Sequence, residues 1–473
     1  MKLVKSKNAN VNYLAKIVDI KTFHNHPDPE VTKLKCAYVD GYNVIVGIDE
    51  QPGKFVYFPT SSQINSDFLS YANLYRHSEK NADQTKSGYF NDNGRVTAIK
   101  LRGCVSEGFL IPVHIFNNWL IDSVQLEPDE YENGLEFDTV EHGNKSFWVC
   151  KKYVINTYTK HVYTGKVAKG KSYKRVIPEQ FPEHYETVQI KKVINPISPD
   201  DYIHISGKIH GTSLRAGYVL CNYKPTFWES CANILTGKKW SEPIKRYDYF
   251  YGSRKVVKSE VPNESGYYSS EPFKYGFEVL KPALQKGMNM YAEIVGYTPD
   301  GKYIQKDYDY GCVPPDTIAI GADNAKIEYL PEKHFKVRVY RITVTNVDGQ
   351  VHEFSPREVQ IYCKTHGLIP VDEYYYGKAM DLYPELIQIV NGDYEHPLFA
   401  DDWYQNFLES LSNDETFNME CDSPDCKNKV PHEGIVIKID NMKSAAFKLK
   451  CFAFLNKEQK QLDAGESNIE DEN

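Results

Sequence analysis

Apolar and polar positions alternate with a period of two through much of this chain, in short runs separated by Gly, Pro, Asn and Asp. That alternation marks strands with one buried face. In the N-terminal part, residues 11–23, 32–39 and 42–46 read as strands, with 24–29 as a turn and Asp40-Gly41 joining the last two. After a long polar loop, 96–101 and 108–113 read as strands flanking 102–108. Short strands, polar turns and little helix predict a small β-barrel there.

Further along, 202–205 and 214–220 read as strands, which places Lys208-Ile209-His210-Gly211 on the connection between them. Gly211 would let the backbone pass close to a phosphate or base where a Cβ would clash. Tyr251 to Lys255 supplies a second cationic turn containing Arg254. Residues 291–296 form a strand carrying Glu293 among apolar neighbours, and 335–344 form one with Tyr340 at its middle. Residues 433–438 make a strand led by Glu433. In 446–450 the period of two sends Lys448 and Lys450 to one face and Phe447 and Leu449 to the core. Ser355-Pro356-Arg357-Glu358 has the form of a helix start, with Gly367 closing that helix.

A chain of 473 residues is too long for one ordinary core and points to two domains. Hydrophobic content of 41% and charged content of 25% are those of a soluble globular protein, and no apolar run has the length of a membrane span. The opening residues carry no apolar stretch of the secretory kind, and ten cysteines without a dense spacing pattern fit reduced thiols, so a cytoplasmic protein is expected. The net charge of −8 is unevenly spread. Between residues 151 and 176 lie eight Lys or Arg and no Asp or Glu, interleaved with Tyr153, Tyr158, Tyr163 and Tyr173. This segment is a candidate for tracking a phosphate backbone and stacking on bases, with a solvated linker as the alternative. Cys421, Cys426 and His432 lack the cysteine spacing and the fourth ligand of a zinc site.

One K-x-x-G tetrapeptide recurs by chance in most long chains. The ordered series K-x-x-G-T-S, S-R, A-E-I-x-G, V-Y-R-I, E-G-I-V-I-K and F-K-L-K, running from Lys208 to Lys450, is far more specific. It resembles the six nucleotidyltransferase motifs of covalent polynucleotide ligases, and the H-G-T-S context is closer to RNA ligases than to DNA ligases. The N-terminal part is similar to the OB-fold module preceding the catalytic domain in the fifth family of ATP-dependent RNA ligases. The resemblance departs at Gly207, where many of these ligases have Glu. It implies an α+β protein: an OB-like nucleic-acid-binding domain at 1–150, a basic linker at 151–178, a ligase nucleotidyltransferase domain (ATP-grasp-like) of antiparallel sheets flanked by helices at 179–462, and an acidic tail at 463–473.

The chemistry follows the same residues. A lysine with a pKa near ~10.4 is almost wholly protonated at neutral pH, and deprotonating it adds on the order of 4–5 kcal/mol to a nucleophilic step. A neighbouring cation, a metal or burial offsets that cost, and Lys448 and Lys450 are candidates for the first, with exposed strand lysines as the alternative. Lys208 is expected to attack the α-phosphorus of ATP, with Lys448 and Lys450 on the phosphate. Glu433 is the candidate ligand for Mg²⁺ or Mn²⁺. By resemblance, Glu293 would accept hydrogen bonds from the ribose, Tyr340 would stack on adenine, and Arg254 would contact ribose or nick phosphate. His210 reads as a structural turn histidine, with a role in choosing RNA over DNA as the other reading. The implied activity is sealing of RNA 3′-OH and 5′-phosphate ends, in a nicked duplex or loose, by a monomer without membrane contact. A DNA ligase, a capping guanylyltransferase and a non-catalytic nucleic-acid-binding protein stand as alternatives.

Overall fold

The computed structural model describes residues 2–6, 13–60, 62–128, 130–153, 174–185, 187–193, 195–260, 272–315, 329–386, 398–440 and 445–464. Most of the basic segment read at 151–178 and nearly all of the tail at 463–473 lie outside these residues. The chain forms an α+β structure of two compact units. One comprises Met1–Thr157, Ile190–Ile194 and Leu455–Gly465; the other comprises Tyr158–Gln189, Asn195–Phe454 and Glu466–Asn473. Among the described residues no helix is long and apolar enough to cross a membrane.

The first unit is built on an antiparallel sheet in the order Phe109–Pro112, Gly53–Phe58, Ala15–Ile20, Glu136–Phe137. Aromatic rings of Phe58, Phe68, Phe116 and Phe137 fill its core with Ile17 and Val56. The other sheets of this unit have two or three strands, and among the described residues none of the strand orders closes into a barrel. Two local readings change. His24–Asn25, read as turn, pairs with Lys35 and Cys36, and Cys104–Glu107, read as connection, folds back on Ala98–Leu101. The turn between those two strands is Arg102-Gly103, both with positive φ, which makes a tight hairpin out of a run too short to show its alternation.

The second unit holds two five-stranded sheets. Sheet A runs Val188–Gln189, Ala446–Lys450, Gly434–Ile439, Tyr202–Gly207, Glu373–Lys378, and only its first pair is parallel. Sheet B is antiparallel and runs Ile244–Gly252, Thr212–Tyr223, Met288–Gly296, Phe335–Thr345, Val351–Glu353. Lys208 to Gly211 therefore link an inner strand of one sheet to an inner strand of the other, rather than turning a hairpin. Leu214, Ala216, Met290, Ala292, Ile294, Val339 and Ile342 form the core of sheet B with Phe273, Phe277 and Leu280 of the helix Pro272–Leu280.

The helix Pro356–His366 starts and stops where its sequence signals stand. Ser355 and Glu358 complete a reciprocal capping box, Pro356 takes the first turn, and Gly367 is left-handed at φ 68°. Its Val359 and Cys363 are buried in the core of sheet B. Ser355→Ala is expected to lower unfolding free energy by about 1 kcal/mol, with Ser355→Asp keeping it, as measured by urea denaturation.

Candidate active site

Strands of both sheets meet at one cleft, partly open to solvent. Of the residues singled out in the sequence, Lys208, Gly211, Arg254, Glu293, Tyr340 and Lys448 line it. Glu433 and Lys450 stand just outside the lining: the Lys208 ammonium forms an ion pair with Glu433, and Lys450 Nζ lies 3.7 Å from the same carboxylate oxygen. The Glu433 side chain is 1% exposed, so its charge is held among cations rather than by water. The backbone repeats the pairing, since Lys208 N donates to Gly434 O at 2.8 Å. Lys448 and Lys450 share one face of their strand while Phe447 and Leu449 are buried.

His210 belongs to the packing around this pair. Its Nδ1 is 3.7 Å from Glu433 Oε2, its ring meets Tyr308 and Phe454 edge-on, and its carbonyl accepts from the Tyr310 hydroxyl at 2.7 Å. Gly211 is required by the neighbouring strand: a Cβ would stand 2.4 Å from Ile294 O and 2.8 Å from Glu293 Cγ. The close approach anticipated at this glycine is thus to the strand that carries Glu293. At Gly207 a Cβ would come within 2.7 Å of the Tyr374 hydroxyl, which occupies space that a side chain before the lysine would need.

Tyr340 owes its position to a bulge. Tyr291 pairs with Arg341 and Ala292 with Val339, so Tyr340 is the extra residue on its strand. Its hydroxyl is 2.9 Å from Ser213 Oγ, while burial, with the Glu293 charge nearby, raises its pKa. Beside it, Arg341 Nε donates to Glu353 at 2.8 Å and Lys438 Nζ lies 3.3 Å from the other Glu353 oxygen. Arg254 is set by Arg215, a 3%-exposed arginine whose guanidinium donates to the carbonyls of Ser253, Lys255 and Phe181.

Several lining residues were given no role by the sequence reading: His184, His204 and Ser206, together with Arg341, Val436 and Lys438, which lie inside quoted motifs. Period two could have found four of them. His204 and Ser206 share a face of a strand whose Ile203 and Ile205 are fully buried, and Val436 and Lys438 alternate with buried Ile435, Ile437 and Ile439. His184 gives no such signal. Its ring stands edge-on to Tyr340 at 5.1 Å, its buried Nδ1 has no hydrogen-bond partner among the described residues, and burial beside Arg341 and Arg254 pushes its pKa down to about 2.

The sequence matches no family model and no curated protein. Among solved structures it is similar to a Naegleria gruberi RNA ligase mutant with ATP and Mn, at 14% identity and TM-score 0.49, covering 97% of this chain and 99% of that one. It is likewise similar to that ligase with PPi, at 15% identity and TM-score 0.47, covering 94% and 99%. With TM-scores below one half, this likeness carries no part of the functional reading.

Burial, with Lys438 and Arg357 nearby, pushes the His204 imidazole down to about 4. Its folded pKa is thus depressed below an unfolded value near ~6.5. The stability held by the neutral ring is complete above that value and is lost as pH falls toward 4. His204→Gln is expected to flatten the decline of Tm between roughly pH 6.5 and 5, measured by thermal unfolding. Equal slopes would mean that the ring titrates alike in the folded and unfolded protein.

Proposed function

We propose that this chain is an ATP-dependent RNA ligase that joins 3′-OH and 5′-phosphate ends through a lysyl-AMP intermediate. The observation that carries the reading is the convergence of Lys208, Arg254, Glu293, Tyr340 and Lys448 on one cleft, from five strand or turn segments spread between residues 208 and 448. The first unit serves as an OB-like nucleic-acid-binding module in this reading.

Lys208 loses its proton and its Nζ bonds to the α-phosphorus of ATP as the bond to pyrophosphate breaks. Lys448 sets a positive charge beside the α-phosphate oxygens, where negative charge builds. Tyr340 stacks on the adenine, and Glu293 and Arg254 hold the ribose side. AMP then passes to the oxygen of a 5′-phosphate, freeing Lys208, and a 3′-OH attacks that phosphorus and releases AMP. Among the described residues no group of three or more His, Cys, Asp or Glu could hold a metal by itself. The single hard carboxylate of Glu433 suits Mg²⁺ or Mn²⁺ in the way such ions are often bound, by one or two carboxylates plus substrate phosphates. An ion there would neutralise phosphate charge and disfavour the ammonium form of Lys208, which shares that carboxylate in this structure.

Incubation with ATP labelled at the α-phosphate and Mg²⁺ or Mn²⁺, followed by denaturing electrophoresis, is expected to give a labelled band. Lys208→Ala should abolish it, and Lys448→Ala should slow it by ~100-fold or more. Label from GTP alone would move the reading to capping, and no label from either nucleotide would leave a binding protein. Lys208→Ala retaining full label would remove Lys208 from the reaction.

A further inference from the structure

The strands Thr212–Tyr223 and Ile244–Gly252 leave the cleft together and are joined at their far end by an arm containing the helix Phe227–Leu235. The longer strand has 12 residues, so the arm stands about 35 Å along the sheet from Lys208. The helix is amphipathic in the wrong sense for a monomer. Its inner face buries polar Ser230 and Asn233, while Phe227, Trp228, Ile234 and Leu235 are 65%, 79%, 55% and 87% exposed. Four large apolar side chains exposed together on one short helix mark a contact surface.

The arm is firmly built. Thr226 and Glu229 form a reciprocal capping box, Glu229 also pairs with Arg246, and Asn233 donates to Glu242 O at 3.0 Å. Trp228 and Trp240 each meet Phe227 at steep angles, with centroids 5.5 and 5.8 Å away. These rings are therefore held in place while their surfaces face solvent.

Charge selects the partner. Residues 224–246 contain five Lys or Arg and two Glu in a chain of net charge −8. Lys238, Lys239 and Lys245 are exposed around the aromatic residues. The end of the basic segment joins the same place: Val176 bridges to Cys221, and Asn222 N donates to Arg175 O at 2.8 Å. A second copy of this face, or the chain's own basic segment, would bring like charges together. A polyanion with flat rings matches both the lysines and the indoles.

We infer that the arm at 224–246 is a docking platform for a single-stranded stretch of RNA, with bases stacking on Trp228 and Trp240 and the backbone held by Lys238 and Lys239. This rests on the ligase reading for the choice of RNA as the strand.

The test is titration of the full chain with a fluorescent single-stranded RNA, reading anisotropy and tryptophan quenching at several salt concentrations. Trp228→Ala/Trp240→Ala is expected to weaken Kd about tenfold or more. Lys238→Gln/Lys239→Gln should make the slope of log Kd against log salt shallower by about 1.4. Both variants should keep the wild-type rate of labelling by ATP, because the arm is remote from Lys208. RNA affinity unchanged in both variants would overturn the inference. So would tryptophan-dependent binding to phosphatidylserine vesicles without an effect on RNA, or a dimer in sedimentation that the tryptophan variant dissolves. Loss of RNA binding in the variants of a chain that never labels would sink the ligase reading and leave the platform standing. Labelling with arm-independent RNA binding would do the reverse.

Discussion

The site depends on one buried carboxylate. Glu433 is almost without solvent contact, and a charge so placed must be met by protein cations or be costly. Lys208 and Lys450 meet it, from the connection between the sheets and from the adjacent strand Ala446–Lys450. Because Glu433 leads the strand Gly434–Ile439, which lies between Ala446–Lys450 and Tyr202–Gly207, this charge network is fixed to the middle of sheet A. Its geometry brings Lys208 to the strand end where backbone and side chain are both anchored. Gly434, at φ 131° and with Leu449 O where a Cβ would stand, is what allows the chain to pass so close there.

Sheet B contributes by irregularity. Were the strand Phe335–Thr345 regular, its alternation would continue unbroken through residue 341. The bulge at Tyr340 makes Val339, Tyr340 and Arg341 all reach the cleft lining. The group of buried Arg341 with the largely covered Glu353 and Lys438 lies beside that bulge, and Lys438 Nζ comes within 3.5 Å of the Tyr340 carbonyl. A carbonyl displaced from ladder pairing thereby has a donor, which makes the distortion tolerable in a dense core. Arg215 performs the corresponding service for Arg254, tying three backbone carbonyls into a fixed turn.

The two units differ in how far local pattern carries. In the second, six strands of five to twelve residues repeat their alternation often enough to be recognised, while Ile244–Gly252, whose end was read as a turn, Glu373–Lys378 and the short Val188–Gln189 and Val351–Glu353 went unread; the helix at 356–366 has every terminal signal in place. In the first, strands of two to six residues give barely one cycle each, so Cys104–Glu107 passes for a connection and His24–Asn25 for a turn.

From its sequence alone the chain disclosed most strands of the second unit, the shared face of Lys448 and Lys450, the helix cap at Ser355 and, through motif order, side chains that come together at one cleft. These are local matters of periodicity, capping and spacing. Tertiary structure alone decided that Lys208 lies between two sheets, that Glu433 stands behind it rather than in the cleft, that Gly211 is demanded by the strand of Glu293, and that a helix exposes its apolar face. Each of these depends on residues far apart in the chain meeting through packing, and sheet pairing leaves no local trace of which strands become neighbours.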